Sequence, residues 1–155
     1  MSSRAGLVLA LGLLVQQAFA EAAEWRFEAR LDDRPIGQHR FTLEGQGTQR
    51  QLLSLANFSV TLLGLEIYRY GHQAQEQWEG DCLRAMSSRT RDGGRTSRVS
   101  AQTVGEGPAA RLRVSRDDEP QPQELEGCVM GFAYWNPAFR TQRRLLNVQT
   151  GKLED

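Results

Sequence analysis

The sequence predicts a mainly β protein, in which a curved antiparallel sheet or open barrel carries one short C-terminal helix packed on it. Two observations support this fold class. Apolar and polar residues alternate over several short stretches, which is typical of strands with one buried face. Gly, Pro and Asp clusters separate these stretches at the spacing of hairpin turns. One segment near the C-terminus, beginning at Asn136 and Pro137, has instead the start signal of a helix.

The beginning of the chain has the order of a secretory signal peptide. Arg4 precedes an apolar run, residues 5–15, and the small residues of a cleavage site end at Ala20. This run is too short to cross a bilayer core of about 30 Å, so we expect cleavage after Ala20 and no stable membrane anchor afterwards. The sequence therefore predicts a signal peptide over residues 1–20 and a periplasmic, single β-rich domain over residues 21–155.

The charge balance does not indicate a nucleic-acid partner. The chain has 19 basic and 19 acidic residues, and loss of residues 1–20 removes only Arg4 from that balance. A nearly neutral domain lacks the excess positive charge that attracts nucleic acid or draws a protein strongly to a membrane surface. We therefore expect no nucleic acid among its partners.

The first strands are predicted to form a hairpin. Residues 25–31 alternate apolar with charged side chains, as in a half-buried strand. Residues 32–35 contain two Asp and a Pro, which favour a turn, and Gly37 allows a bulge. Alternation resumes over residues 39–43. His39 falls on the apolar side of this second strand, where a core or rim histidine is more common than a ligand or a base.

The next stretch, residues 49–70, is apolar and nearly free of charge, and its pattern is ambiguous. The apolar phase shifts by one at Gly64, which predicts two strands or one bent strand, with a short helix at residues 60–64 as the alternative. Apolar residues on both faces of residues 60–67 normally indicate burial on both faces. The alternative is that they line a cavity for an apolar ligand.

A polar region follows. Residues 68–81 have a weak strand pattern, whereas residues 82–103 predict a hairpin that turns at the Asp-Gly-Gly of residues 92–94. Its many Arg residues indicate a solvated face rather than a polyanion site. A short strand at residues 111–115 and a charged, Pro-containing loop at residues 117–123 complete this region.

The two cysteines, Cys82 and Cys128, predict a disulfide, since a pair in an oxidising compartment is normally bridged. In the chain-entropy model this bridge contributes about 4 kcal/mol. Free thiols are the alternative. The sequence has no CxxC motif and no His next to either Cys, so it does not favour a redox role. Two His residues together with bridged Cys residues are too few ligands for a zinc site. We therefore expect no metal and no cofactor.

An aromatic block, residues 127–151, is the densest feature of the sequence, and a helix is predicted within it over residues 137–146. One interpretation is a ligand-facing aromatic wall in which Asn136 is a polar contact. The alternative is a helix start packed into the sheet, with Asn136 as the helix cap. The candidate ligand-binding residues are Tyr134, Trp135, Asn136 and Trp78.

No catalytic residue can be assigned, because no nucleophile elbow, P-loop, dinucleotide-binding turn or HExxH motif is present. The candidate acid–base carboxylates, which surface charge explains more simply, are Glu76, Glu79, Asp81, Asp32 and Asp33. Three hypotheses remain: a protein that binds or carries an apolar or lipid-like ligand, a non-catalytic interaction or structural module of the envelope with an unknown protein partner, and a carboxylate-based hydrolase.

Several blocks together resemble an exported bacterial family called domain of unknown function 6134. They are Ile36-Gly37 with His39 and Phe41, EQWEGDCL at residues 76–83, CVMGFAYWNP at residues 128–137 and LLNVQTG at residues 145–151. The resemblance implies a β-rich periplasmic domain without an established activity, substrate or catalytic residue. The family pattern continues into further strands, which implies a shortened member or a sheet that is incomplete at its C-terminus.

Overall fold

The computed structural model describes residues 21–155, and the expected mainly β fold is confirmed. Eight strands form one antiparallel sheet in which each strand pairs with its neighbours in the sequence. The signal peptide predicted for residues 1–20 lies outside the described residues. The sheet is not closed, because the first and last strands each have one partner. Its strands are β1 (Glu21–Leu31), β2 (Arg34–Gln46), β3 (Gln49–Leu62), β4 (Leu65–Glu79), β5 (Cys82–Asp92), β6 (Arg95–Val104), β7 (Arg111–Arg116) and β8 (Gln123–Glu126).

One face of the sheet, here called the inner face, bears the core. Alternate residues along β3 to β8 are buried there because their side chains point to the same side. The C-terminal segment, residues 127–151, covers this face and contributes Met130 and Leu146 to the core. The predicted disulfide between Cys82 and Cys128 is present and joins the segment to β5. The opposite face, here called the outer face, is mostly polar and exposed.

The predicted helix over residues 137–146 is wrong. This region instead forms a short 3-10 turn, Pro137–Thr141. Strand β9 (Leu145–Asn147) follows it and pairs with β10 (Lys152–Glu154). Asn136 caps the turn, but the extended chain after it inserts Leu146 fully into the core and forms a backbone hydrogen bond from Leu146 N to Met130 O. That burial outweighs helix propensity.

The two-strand interpretation of residues 49–70 is confirmed, whereas the expected burial of residues 60–67 is wrong. The strands β3 and β4 meet in a turn at Leu63 and Gly64, and the short helix does not form. Leu62, Leu65 and Ile67 near this turn are exposed. The reason is that Ser59–Arg69 extends beyond the neighbouring strands, so no second layer covers it. This run does not line any of the clefts and depressions described below.

Leu63 occupies an unfavourable position in this turn. Leu63 and Gly64 both have positive φ, of 50° and 81°, as in type I′ turns, where Asn-Gly is preferred. A leucine here is strained and gains no burial, because its side chain is 95% exposed. We therefore expect Leu63→Asn to stabilise the protein by about 0.5–1 kcal/mol. Urea unfolding measures this, with Leu65→Asn as a control that lacks the strain. A loss of stability in Leu63→Asn would refute the interpretation of the turn.

Helices contribute little to this fold. The described residues hold two 3-10 turns, Gly107–Ala109 and Pro137–Thr141, and no helix among them is long and apolar enough to cross a membrane.

Candidate functional site

An apolar cleft lies where the C-terminal segment meets the first two strands. Its free volume is about 40 Å³. Strand β1 supplies two aromatic side chains and β2 supplies a third, because the register of their hairpin places Trp25 opposite Phe41 on the inner face. The segment closes the other side, with Leu52 of β3 at the base. This aromatic cleft is lined by Trp25, Phe27, Phe41, Phe132, Tyr134 and Trp135.

Several rings of the cleft pack edge to face, yet Trp25, Phe27 and Tyr134 are exposed. Phe41 contacts Phe27 with ring centroids 6.0 Å apart and Tyr134 with centroids 6.1 Å apart. Phe27 is nevertheless 53% exposed and Tyr134 is 62% exposed. Large aromatic side chains that gather on a surface without being covered are typical of binding sites rather than of packing.

The structure distributes the four predicted ligand-binding residues over different environments. Tyr134 and Trp135 line the cleft. Trp78 lies behind Trp135 in an edge-to-face contact of 5.6 Å and is only 2% exposed, so it supports the cleft without lining it. Asn136 has a structural role, since its Oδ1 accepts a hydrogen bond from Ala138 N and its Nδ2 donates a hydrogen bond to Asp81 Oδ1. The alternative interpretation of Asn136 as a cap thus matches its contacts.

Trp135 also carries an unpaired donor. Its Nε1–H is buried and has no hydrogen-bond partner among residues 21–155. A buried donor that finds no acceptor costs about 1–3 kcal/mol relative to a paired one. By contrast, the Nε1–H of Trp78 donates to Glu76 Oε2 at 2.8 Å. The indole N–H of Trp135, unlike that of Trp78, is therefore left without an acceptor within the described residues.

A row of polar side chains crosses the inner face beside the cleft. His39 Nε2 lies 2.8 Å from Ser54 Oγ, and His72 Nδ1 lies 2.9 Å from Thr90 Oγ1. The strand register places Ala56 between the two histidines. Burial lowers the pKa of His39, and burial together with His39 lowers the pKa of His72 to about 4. Both rings are therefore neutral at pH 7.

The contact between His39 and Ser54 has the spacing of a base and a nucleophile. In the described part of the chain, however, no carboxylate hydrogen-bonds the His39 ring, which instead packs on Phe41 with ring centroids 4.0 Å apart. The pair thus lacks the third group that orients a catalytic histidine. It provides hydrogen-bonding groups at the edge of the aromatic cleft.

The candidate carboxylates do not form a pair for acid–base work, because each has a different partner. Glu79 is ion-paired with Arg84 at 3.0 Å, and Asp81 accepts from Asn136. Glu76 lies on the inner face and is 6% exposed. Burial raises the pKa of Glu76 to about 7, and the hydrogen bond from Trp78 opposes this rise. The remaining candidates, Asp32 and Asp33, form the exposed turn between β1 and β2.

Two larger depressions, of about 450 and 650 Å³, are bordered by the outer-face side chains Glu44, Gln51 and Gln77. Their linings mix polar and apolar side chains, whereas the lining of the aromatic cleft is mainly apolar, so we do not place the site for an apolar ligand there despite the greater volume. Among residues 21–155, no three or more His, Cys, Asp or Glu side chains lie close enough together to hold a metal ion.

The fold and site define an open antiparallel sheet protein whose inner face is covered by a disulfide-tethered C-terminal segment. The chain belongs to the family described as domain of unknown function (DUF6134), whose model matches residues 27–155. No curated protein and no solved structure matches the chain. The family membership agrees with the resemblance of the sequence blocks and assigns no activity.

Proposed function

We propose that the protein binds an apolar or lipid-like molecule at the aromatic cleft and does so in the periplasm. The observation that carries this proposal is the exposure of Phe27 and Tyr134, at 53% and 62%, beside an apolar cleft. A ligand that covers these two rings gains their burial, which is worth about 25 cal/mol for each Å² of apolar surface. The disulfide is consistent with an exported protein.

The surroundings of the cleft favour a ligand with a polar end. The unpaired Nε1–H of Trp135 offers a donor to a ligand oxygen. The neutral ring of His39 packs on Phe41 and, with Ser54, adds hydrogen-bonding groups at the edge of the cleft. A few polar groups within an apolar lining are typical of small-molecule sites. A fatty acid or another single-chain amphiphile fits this arrangement best.

The ligand must displace at least one ring, because the free volume of about 40 Å³ is close to that of a single water molecule. Phe27 and Tyr134 are the rings whose movement costs least, since both are largely exposed. Trp135 is held in place by its edge-to-face contact with the buried Trp78 and stays as a wall of the site.

Titration with N-phenyl-1-naphthylamine, a fluorescent apolar probe, tests the proposal. We expect Phe27→Ser combined with Tyr134→Ser to raise the Kd for the probe at least tenfold, because about 2 kcal/mol of apolar contact is lost. Leu65→Ser removes an equally exposed apolar side chain outside the cleft and is expected to leave the Kd unchanged. An equal effect of both changes would mean that the probe binds exposed apolar surface in general and would overturn the proposal.

A further inference from the structure

The hairpin between β3 and β4 extends beyond the sheet as a two-stranded ribbon. β3 pairs with β2 only as far as Phe58, and β4 pairs with β5 only from Tyr70 onwards. The strand register pairs the residues between, Ser59–Arg69, only with one another, and a hydrogen bond from Gly93 N to Arg69 O marks the base of the ribbon. Its four residue pairs correspond to a projection of about 13 Å.

The end of this ribbon is mostly apolar, apart from the exposed pair of Thr61 and Glu66. The exposed side chains of this apolar tip are Leu62, Leu63, Leu65 and Ile67. Leu63, at its end, is 95% exposed and occupies a turn position where asparagine or glycine would be favoured. Neither burial nor backbone geometry within this chain explains a leucine there. An apolar projection without a flat face suits a fluid apolar medium better than a shaped protein pocket.

We propose that the apolar tip inserts into the surface of a lipid bilayer that contains anionic lipids. Insertion is shallow, because the outer edges of the ribbon carry unpaired backbone groups that hydrocarbon cannot satisfy. The polar side chains of Ser59 and Thr61 lie behind the tip and limit its depth. Glu66, which lies between Leu65 and Ile67, is paired with Arg69 at 2.7 Å, and the cost of taking this ion pair out of water keeps it at the level of the headgroups.

Local charge identifies the kind of bilayer. The neighbouring turn, between β5 and β6, carries the exposed Arg91 and Arg95, which form no ion pair within residues 21–155, and one carboxylate, Asp92, which accepts a hydrogen bond from Tyr68. Two cations and one carboxylate leave the turn with an excess of positive charge. The register places this turn beside the base of the ribbon, because Tyr70 pairs with Asp92. Two arginines close to the surface strengthen binding to anionic lipid. The β1–β2 turn adds no net charge, since Asp32 and Asp33 accompany its arginines.

The nearly neutral charge of the whole chain does not conflict with this proposal, because headgroups interact with charges within a Debye length of the surface. The proposal is also independent of the cleft. A tip that touches a membrane needs no ligand in the cleft, and the cleft residues Phe27 and Tyr134 do not belong to the ribbon.

Vesicle co-sedimentation tests the proposal with two compositions, phosphatidylcholine alone and an equal mixture with phosphatidylglycerol. We expect the protein to bind the mixture about tenfold more tightly than phosphatidylcholine. Leu63→Asn is expected to reduce binding to the mixture at least tenfold without lowering Tm. Arg91→Gln combined with Arg95→Gln should remove the preference for anionic vesicles.

Cross-controls separate this proposal from the proposed function. Leu63→Asn should leave probe binding in the cleft unchanged, and Phe27→Ser with Tyr134→Ser should leave vesicle binding unchanged. No binding of the unaltered protein to either vesicle would overturn the membrane proposal. Unchanged vesicle binding by Leu63→Asn would also overturn it. The same holds if Leu63→Asn abolishes self-association of the protein and leaves vesicle binding intact. The Leu63→Trp variant adds a fluorescence readout, because the emission of the new tryptophan should shift to the blue only when vesicles are present.

Discussion

Loss of the disulfide is expected to lower the free energy of unfolding by about 4 kcal/mol. Cys82 and Cys128 are 46 residues apart in the sequence, and the bridge restricts this long loop in the unfolded chain. In the folded protein it lies beside the backbone hydrogen bond from Leu83 N to Val129 O. Together these contacts fix one end of the C-terminal segment, which covers the inner face.

Urea unfolding of Cys82→Ala combined with Cys128→Ala measures the loss. Treatment with a reductant is the matched control, because it should destabilise the unaltered protein and leave the double variant unchanged. We also expect the emission of Trp135 to shift to the red before global unfolding, since detachment of the segment exposes it. A loss below about 1 kcal/mol would contradict the tether, because other contacts would then hold the segment in place.

Replacement of Glu76 by glutamine is expected to stabilise the protein by about 3 kcal/mol above pH 7. The folded pKa of Glu76 is raised from 4.5 to about 7, so the folded state holds this proton more tightly than the unfolded state between these values. Stability from this group therefore falls as pH rises from about 4.5 to 7. A glutamine avoids the buried charge and its side-chain oxygen still accepts the hydrogen bond from Trp78.

His72 has the opposite effect over nearly the same range. Its folded pKa is lowered from 6.5 to about 4, so the unfolded state binds more protons between these values and stability rises with pH. The contributions of Glu76 and His72 oppose each other in the unaltered protein, and the lowered pKa of His39 adds to the rise of stability with pH. Glu76→Gln should therefore reveal a rise in stability from about pH 4 to 6.5, and His72→Gln should reveal a fall from about pH 4.5 to 7.

Urea unfolding across this range measures both slopes. Glu79→Gln is the control, since Glu79 is exposed and forms a surface ion pair, and its loss should change stability by less than about 1 kcal/mol. Parallel pH profiles for the unaltered protein and Glu76→Gln would show that the carboxyl is ionised at no cost and would contradict its burial.

The sequence was sufficient for the strand hairpins and the disulfide, because both depend on local signals. Asp-Gly-Gly at residues 92–94 gave the correct turn, and the bulge expected at Gly37 appears as a register shift opposite Ala29. A Cβ at Gly37 would lie 1.9 Å from Asn57 O, which explains the glycine. The sequence pattern predicts strand β4 only weakly over residues 68–81, although its inner-face residues alternate strictly with Gln73, Gln75 and Gln77.

The C-terminal region, the exposure of residues 60–67 and the composition of the site depend on contacts between distant parts of the chain. Whether residues 137–146 form a helix is decided by the core position of Leu146, which no local pattern reveals. The exposure of residues 60–67 likewise depends on where the neighbouring strands end. For the site, the aromatic block indicates Tyr134 and Trp135. In the sequence, Trp25, Phe27 and Phe41 have only the alternating pattern of ordinary strand residues, although they line the cleft. Only the placement of the segment on β1 and β2 brings the two groups together.

The three indole N–H signals of the protein give the most direct test of ligand binding at the cleft. Trp25 and Trp135 line the cleft, whereas Trp78 lies behind it with its N–H bonded to Glu76, so it serves as an internal control. In a nitrogen–proton correlation spectrum titrated with a single-chain fatty acid, we expect the signals of Trp25 and Trp135 to shift and that of Trp78 to stay. No shift at saturating ligand, or equal shifts of all three signals, would contradict binding at this cleft.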